Sequence, residues 1–518
     1  MKKKVFSLFL AVLLVLGVLG ACSKKSEDAA TKEDVNSKEK VAVKAFGVKA
    51  PAATTDYDEM PFMKELQDNV NLDIKWTLAN VSTYREQINL MFASNDMPDI
   101  FYSAWSLSGN DIVKYGSTGQ LIPLEDLIEK HAPNIKALFE KRPELKKTIT
   151  APDGHIYALP QVDEALWSTS NDAFFINKKW LDKLGLPIPK TTEEFYKTLK
   201  AFKDQDLNGN GKKDEIPFSF MFNNHIRGPH SLAGSFGVVG RNIGVTDGKV
   251  YYAPAQPGYR EFLKYMNQLY KEGLIDQEAF THSVEVYDSK LKLKPETLGA
   301  FFSWSNWSTF GTLDSDYVAI PPLKGPKGDQ LWNKNGGTFS FSGFSITSAN
   351  KNPVRSIKWV DQMYDPEMSI QVSLGPYDVN LKKDGDKIQI LDAPNGMGYE
   401  EFRHKSTPGS YGVYATLKDT YEKLNLSPGQ QEKLEYAEMY KPFQPKEIYP
   451  NVLYSVEDAD RLSILQTDID NYMNQTVPKF IIEGKIDENW DDYVKQLEKM
   501  GLEELLQINQ KYYDKFKE

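Results

Sequence analysis

Residues Asp204 to Glu215, DQDLNGNGKKDE, set oxygen donors at alternate positions along a loop that contains two glycines. Donors spaced in that way on a Gly-kinked loop can converge on one hard cation, and calcium takes roughly six to eight such oxygens. Two registers are open. The first starts at Asp204 and uses Asp204, Asp206, Asn208, Gly209 and a terminal Glu215, a formal match to the twelve-residue calcium loop. The second uses Asp206, Asn208, Asn210, the backbone carbonyl of Lys212, Asp214 and Glu215, with Gly211 at the sharp turn. The second is preferred because its shell closes within ten residues and leaves Pro217 free to open the next strand. An ordinary polar turn is the competing reading, since Asn-Gly pairs form turns in any protein. The donor set suits a structural Ca²⁺ ion.

Little else in the chain has the spacing of a reaction centre. There is no Gly-x-Ser-x-Gly elbow and no His-Glu-x-x-His helix, and Gly211-Lys212 lacks the Ser or Thr of a phosphate loop. The six histidines, among them His155, His225 and His230, make no ligand pair at helical spacing and read as surface or internally paired polar groups. Cys22 is the one cysteine in 518 residues, which excludes disulfides, zinc-thiolate sites and catalytic thiols together. A polysaccharide-cleaving enzyme would need two carboxylates about 5 to 9 Å apart, a spatial relation that linear spacing does not reveal. No catalytic residue is therefore assigned, and the chain is expected not to be an enzyme.

Lys2, Lys3 and Lys4 precede an unbroken small and apolar run from Val5 to Ala21, the charged and apolar regions of an export signal spanning 1–21. The run is shorter than the roughly 20 residues of a membrane span. It ends at Leu19-Gly20-Ala21-Cys22, which resembles the bacterial lipobox and marks Cys22 for diacylation. Two acyl chains anchor stably where one does not, so the expected location is the extracytoplasmic face of the membrane. Residues 22–40 mix both charges with almost no large apolar side chain and read as a flexible tether.

The full chain has 62 basic against 72 acidic side chains, and loss of the three signal lysines takes the net charge from −10 to about −13. A nucleic-acid partner needs a basic face, so none is expected. Nearly 480 residues remain after the tether, too many for one core, and two lobes are predicted. Strand patterns at Val41 to Val48 and Leu72 to Thr77 alternate with helical ones at Asp58 to Val70 and Ser82 to Ala93, which predicts α/β layers on a mainly parallel sheet. Thr191 and Glu194 form a capping box for a helix with Phe195, Leu199 and Phe202 on one face. Phe262, Met266 and Leu269 mark another helix, closed by Gly273. The helix-rich tail offers Ile464, Ile469, Met473, Phe480, Tyr493, Leu497 and Leu505 to the core.

The stretch from Phe175 to Thr191, FINKKWLDKLGLPIPKT, runs through the capped helix into DLNGNGKKDEIP and resembles the extracellular solute-binding lipoproteins of carbohydrate ABC importers. Among them it is most similar to the alginate and oligosaccharide receptors. Ala93 to Ile100, Tyr270 to Asp276 and Gly484 to Leu506 are further blocks of the same kind, so the resemblance covers nearly the whole mature chain. It implies the second calcium register and two α/β lobes of the periplasmic-binding-protein type closing on a ligand like a hinged clamp. The lobes would be 41–165 plus about 316–385, and 166–315 plus about 386–518. It also implies a monomer that binds a small solute, an oligosaccharide first, and docks on membrane permease subunits. Such capture needs aromatic faces for sugar rings and polar groups for hydroxyls. Trp304, Asn306 and Trp307 in Ser303 to Ser308 are the first candidate contacts, followed by Trp105, Trp167 and Tyr377. For each tryptophan, partial burial in a core is the competing reading, and the Gly375-Pro-Tyr-Asp378 segment departs from the family's usual glycine-rich one. Peptides and other solutes remain open, as does a surface polysaccharide-degrading enzyme; a passive adhesin fits the anchor but not the α/β pattern.

Overall fold

The computed structural model describes residues 37–165, 167, 170, 172–335, 339–394 and 397–518. The signal at 1–21, the lipid site Cys22 and nearly all of the tether lie outside the described residues. In chain order the strands are β1 (Val41–Val48), β2 (Leu72–Ala79), β3 (Ile100–Tyr102), β4 (Leu159–Asp163), β5 (Ala173–Asn177), β6 (Ile216–Phe218), β7 (Ile243–Thr246) and β8 (Lys249–Tyr252). They continue as β9 (Leu298–Ser303), β10 (Tyr317–Ile320), β11 (Phe339–Ile346), β12 (Leu381–Asp384), β13 (Lys387–Ile390), β14 (Ala415–Thr416) and β15 (Leu424–Asn425). Two sheets dominate the unit Glu39–Glu518: a six-stranded one of order β14-β4-β11-β3-β1-β2 and a four-stranded one of order β10-β5-β9-β6.

The strand and helix alternation near the start does give parallel neighbours, with Val41 opposite Leu72 and Ala45 opposite Ile100. Both sheets are nonetheless mixed. β11 runs antiparallel to both β3 and β4, and β5 runs antiparallel to both β9 and β10. The two sheets stand on separate cores. Phe174, Phe195, Phe218 and Phe302 are wholly buried in the second, and Tyr102, Leu159, Phe344 and Trp359 in the first. Together these make a two-lobed α/β fold.

The chain passes between the cores at positions that differ from those expected. β10, Leu323 and Trp332 belong to the second core, so the boundary expected near 316 falls instead between Trp332 and Phe339. Val413, Tyr414, Ala415 and Leu417 belong to the first core, and β14 pairs in parallel with β4, so the boundary expected near 386 lies beyond Leu424. The cause is plain: a short apolar run such as Tyr317-Val-Ala-Ile320 carries no mark of the sheet that receives it.

Local expectations fare better. Thr191 Oγ1 accepts from the Glu194 N–H at 3.1 Å, while the Glu194 carboxylate reaches back to the Lys190 N–H at 2.7 Å, one residue further than the capping pattern implies. Phe195, Leu199 and Phe202 are fully buried beneath that helix, and Phe262, Met266 and Leu269 beneath Pro257–Lys271. Ile464 is a correction. It is 57% exposed, because the buried face of the helix Val456–Glu483 runs through Leu462, Leu465 and Ile469, about 100° to 160° away. We therefore expect Phe262→Ala to cost about 3 to 5 kcal/mol in chemical denaturation, and Ile464→Ala to stay within about 0.5 kcal/mol.

Candidate functional site

The loop after the helix Thr192–Lys203 folds on its own carboxylates. Asp206 accepts from the N–H groups of Gly209 and Gly211 at 2.8 and 2.9 Å, and Glu215 Oε1 from those of Leu207 and Asn208 at 2.6 and 3.0 Å. Asn208 and Asn210 both donate to Asp214, at 3.0 to 3.1 Å, and these bonds hold the Asp214 carboxyl below its usual pKa. Gly209 and Gly211 sit at φ 77° and 82°, the left-handed region that lets the loop turn twice. Oε2 of Glu215 is buried with no partner. An orphaned, inward carboxylate oxygen beside Asp206, Asn208, Asn210 and Asp214 fits a cation. Among the described residues no three His, Cys, Asp or Glu side chains converge on one point, so the amides and the Lys212 carbonyl would have to complete the set.

The second site is built at the carboxyl ends of strands, where open α/β sheets take their ligands. Trp304 follows β9, Trp105 follows β3 and Trp167 follows β4. Trp304 and Trp167 line one narrow cavity with Asp172 and Lys433, and the Lys433 ammonium stands 4.8 Å from the centre of the Trp304 ring. Burial drives the Lys433 ammonium down to about 8, against the pull of Glu400. Asp172 is shared with a neighbouring cavity of about 170 Å³ that is also lined by His230, Arg241 and Lys334. Burial pushes the Asp172 carboxyl up to about 7, opposed by a hydrogen bond from Ser231, and holds His230 down at about 4. A further cleft of about 310 Å³ lies between Asn110, on a helix of the first lobe, and Asp470 on Val456–Glu483.

Glu432 holds this wall in place. Its two oxygens accept from the backbone N–H groups of Asn306 and Trp307 at 3.0 Å each, capping the short helix Asn306–Phe310. Trp307 is 41% exposed and lies over Gly429, where a Cβ would come within 2.6 Å of the ring. The Asn306 amide points inward, donating to the Tyr317 carbonyl at 3.0 Å with its own oxygen buried and unpartnered.

The candidate contacts therefore part company. Trp304 and Trp167 line the same cavity; Trp167 also stands edge-on to Tyr421 at 5.2 Å. Trp105 is 49% exposed, edge-on to Tyr411 at 5.2 Å on the first lobe. Tyr377 is set apart in a small cluster around β12 and β13, its hydroxyl donating to Glu367 and its ring under Lys383 at 4.9 Å. Asp172, Arg241, Asn242, Glu432, Lys433 and Asp470 escaped the reading of the sequence. They are common polar residue types in loops and on helix faces, with no local pattern that sets them apart.

Residues 51–369 match the family described as bacterial extracellular solute-binding protein. Over its full length the chain is 35% identical to the fructooligosaccharide ABC transporter substrate-binding protein FusA of Streptococcus pneumoniae, covering 99% of it. The structure of FusA in complex with kestose superposes with a TM-score of 0.82 at 34% identity, over 92% of this chain and 99% of that one. An EF-hand mutant of FusA, in complex with fructo-nystose, superposes equally well. An "HMO binding" ABC-transporter-associated solute-binding protein of Bifidobacterium longum infantis gives 0.82 at 28% identity with the same coverage. Alginate-binding AlgQ2, solved without calcium ion, shares the fold at a TM-score of 0.70 and 24% identity.

Because the Asp172 carboxyl is raised in the folded chain, it favours folding while protonated. That contribution is lost as pH rises from about 4 to about 7, by up to about 4 kcal/mol. We expect Asp172→Asn to raise the melting temperature at pH 8 and to change it little at pH 4, as thermal melts across that range would show.

Proposed function

Because the chain belongs to the bacterial extracellular solute-binding protein family, we propose that it captures an oligosaccharide between its two lobes and passes it unaltered to the permease subunits of an ABC importer. The observation that carries this reading is that Trp304 and Trp167 line one narrow cavity of about 10 Å³ with Asp172 and Lys433, next to a cavity of about 170 Å³ that shares Asp172. A flat indole receives the apolar face of a sugar ring, and charged groups beside it pair with hydroxyls more strongly than neutral ones do. The likeness to FusA makes a fructooligosaccharide the first ligand to try. Capture of this kind needs no catalytic group, and lobe closure supplies the desolvation. The protein acts as a monomer, held on the outer face of the membrane by a diacylated Cys22.

In the same reading the loop holds a structural calcium ion through Asp206, Asn208, Asn210, the Lys212 carbonyl, Asp214 and Glu215. When bound, the ion would supply the positive charge that the loop's carboxylates lack, and so would stiffen the link between the helix Thr192–Lys203 and β6. The loop is separate in sequence and in contacts from the cleft residues. An EF-hand mutant of the relative FusA still carries fructo-nystose. The ion is thus assigned to stability and not to sugar contact.

Two measurements test these statements. In a thermal-shift screen of the protein from Val41 onward, an oligosaccharide at 100 times its dissociation constant should add about 2.7 kcal/mol. The shift should shrink in Trp304→Ala, and the sugar should be recovered intact by chromatography. Cleaved sugar would establish an enzyme instead, and silence across all sugars would point to peptides or other solutes. Removing calcium with a chelator should lower the melting temperature while sugar binding persists; an unchanged melt contradicts the metal assignment.

A further inference from the structure

We propose that Lys433 is a placeholder on Trp304: its ammonium covers the indole face that a sugar ring needs, and capture moves it aside. The inference rests on the oligosaccharide reading above and goes beyond it, since Asp172 becomes the charged group that the sugar meets in place and Lys433 the one that it displaces. The Lys433 ammonium stands over the Trp304 ring, 4.8 Å from its centre, in a cation–π contact. Both side chains line the same cavity, so the covered face is the one turned towards it. That cavity has a volume of about 10 Å³, room for about one water and none for a sugar ring. While Lys433 keeps this position, Trp304 cannot stack on a ligand.

The position follows from what surrounds it. Glu432, on the same helix, accepts from the Asn306 and Trp307 N–H groups and from the Tyr436 hydroxyl at 2.5 Å. Glu400, on the helix Tyr399–His404, is held by Arg403 at 2.5 Å, with His404 at 3.6 Å. Both carboxylates that act on Lys433 are thus taken, and among the described residues its ammonium has no ion pair. The indole is what remains to it. Burial brings Lys433 down to about 8, helped by the repulsion of Arg403 and opposed by Glu400 and Glu432. A cation short of water and held by one ring is readily exchanged for a ligand that offers the ring an apolar face. Displacement also has a sign of its own. Moved aside into water, Lys433 returns towards its ordinary 10.5, so capture near pH 9 takes up a proton. A Lys433 that stayed beneath the sugar would lose still more water and take up none. Asp172, in the same cavity at about 7, is already ionised at pH 9, and Tyr436 is pushed far above its usual range, so neither supplies that proton.

The test is isothermal titration calorimetry at pH 9, in two buffers of different ionisation enthalpy, on the wild type and Lys433→Ala. The ligands are the neutral oligosaccharides of the screen above, kestose first. The wild type should take up about 0.9 of a proton per sugar bound, and should bind about sevenfold more weakly at pH 9.5 than at pH 8.5. Lys433→Ala should take up none, change little over that range, and bind at least threefold more tightly than the wild type at pH 9. If Lys433→Ala does not fold, the proton count and pH slope of the wild type decide. No proton uptake by the wild type, or weaker binding by Lys433→Ala, overturns the placeholder and leaves the oligosaccharide reading standing. Failure of every sugar to bind the wild type overturns both.

Discussion

The carboxylate of Glu432 reaches from the helix Pro428–Tyr440 to the backbone N–H groups of Asn306 and Trp307 and so joins two parts of the chain that enter the second lobe separately. Charge-assisted bonds to the first amides of a helix are stronger than neutral ones and gain from the helix dipole. Trp304 stands immediately before that capped turn, and Lys433, whose ammonium faces the Trp304 ring, follows Glu432 directly. The aromatic wall of the cleft and its neighbouring cation therefore share one anchor. Trp307 packing over Gly429 closes the same joint from outside, and no residue larger than glycine fits there without displacing the ring.

Around that joint the chain passes between two cores, and this explains what could be read in advance. Interactions that span a few residues were legible. The helix over Phe195 to Phe202 and its Thr191 cap depend on spacings of three to four residues, and the loop from Asp206 to Glu215 on spacings of two to eight. In the loop Asp206 and Glu215 bind backbone N–H groups, and Asp204 closes the preceding helix. Pairings between distant segments were not legible. β10 lies beside β5, and β14 beside β4, because of contacts that no local pattern encodes.

The same division runs through the cleft. Trp304 and Trp167 could be singled out because tryptophan is rare and flat, yet the residue type does not say which indoles meet. Trp105 and Tyr377 answer to Tyr411 and Lys383 instead. Asn306, placed between two tryptophans, is drawn into the fold by the Tyr317 carbonyl. Arg241 and Asp470 come together only through the packing of Val456–Glu483 across the second lobe.

The most direct test of capture without conversion is a crystal structure of the protein from Val41 onward grown with kestose, the trisaccharide bound by FusA. The account predicts an uncleaved oligosaccharide with one ring against Trp304 and its hydroxyls directed to Asp172. Density for a cleaved sugar, or for a sugar bound away from Trp304, would contradict it.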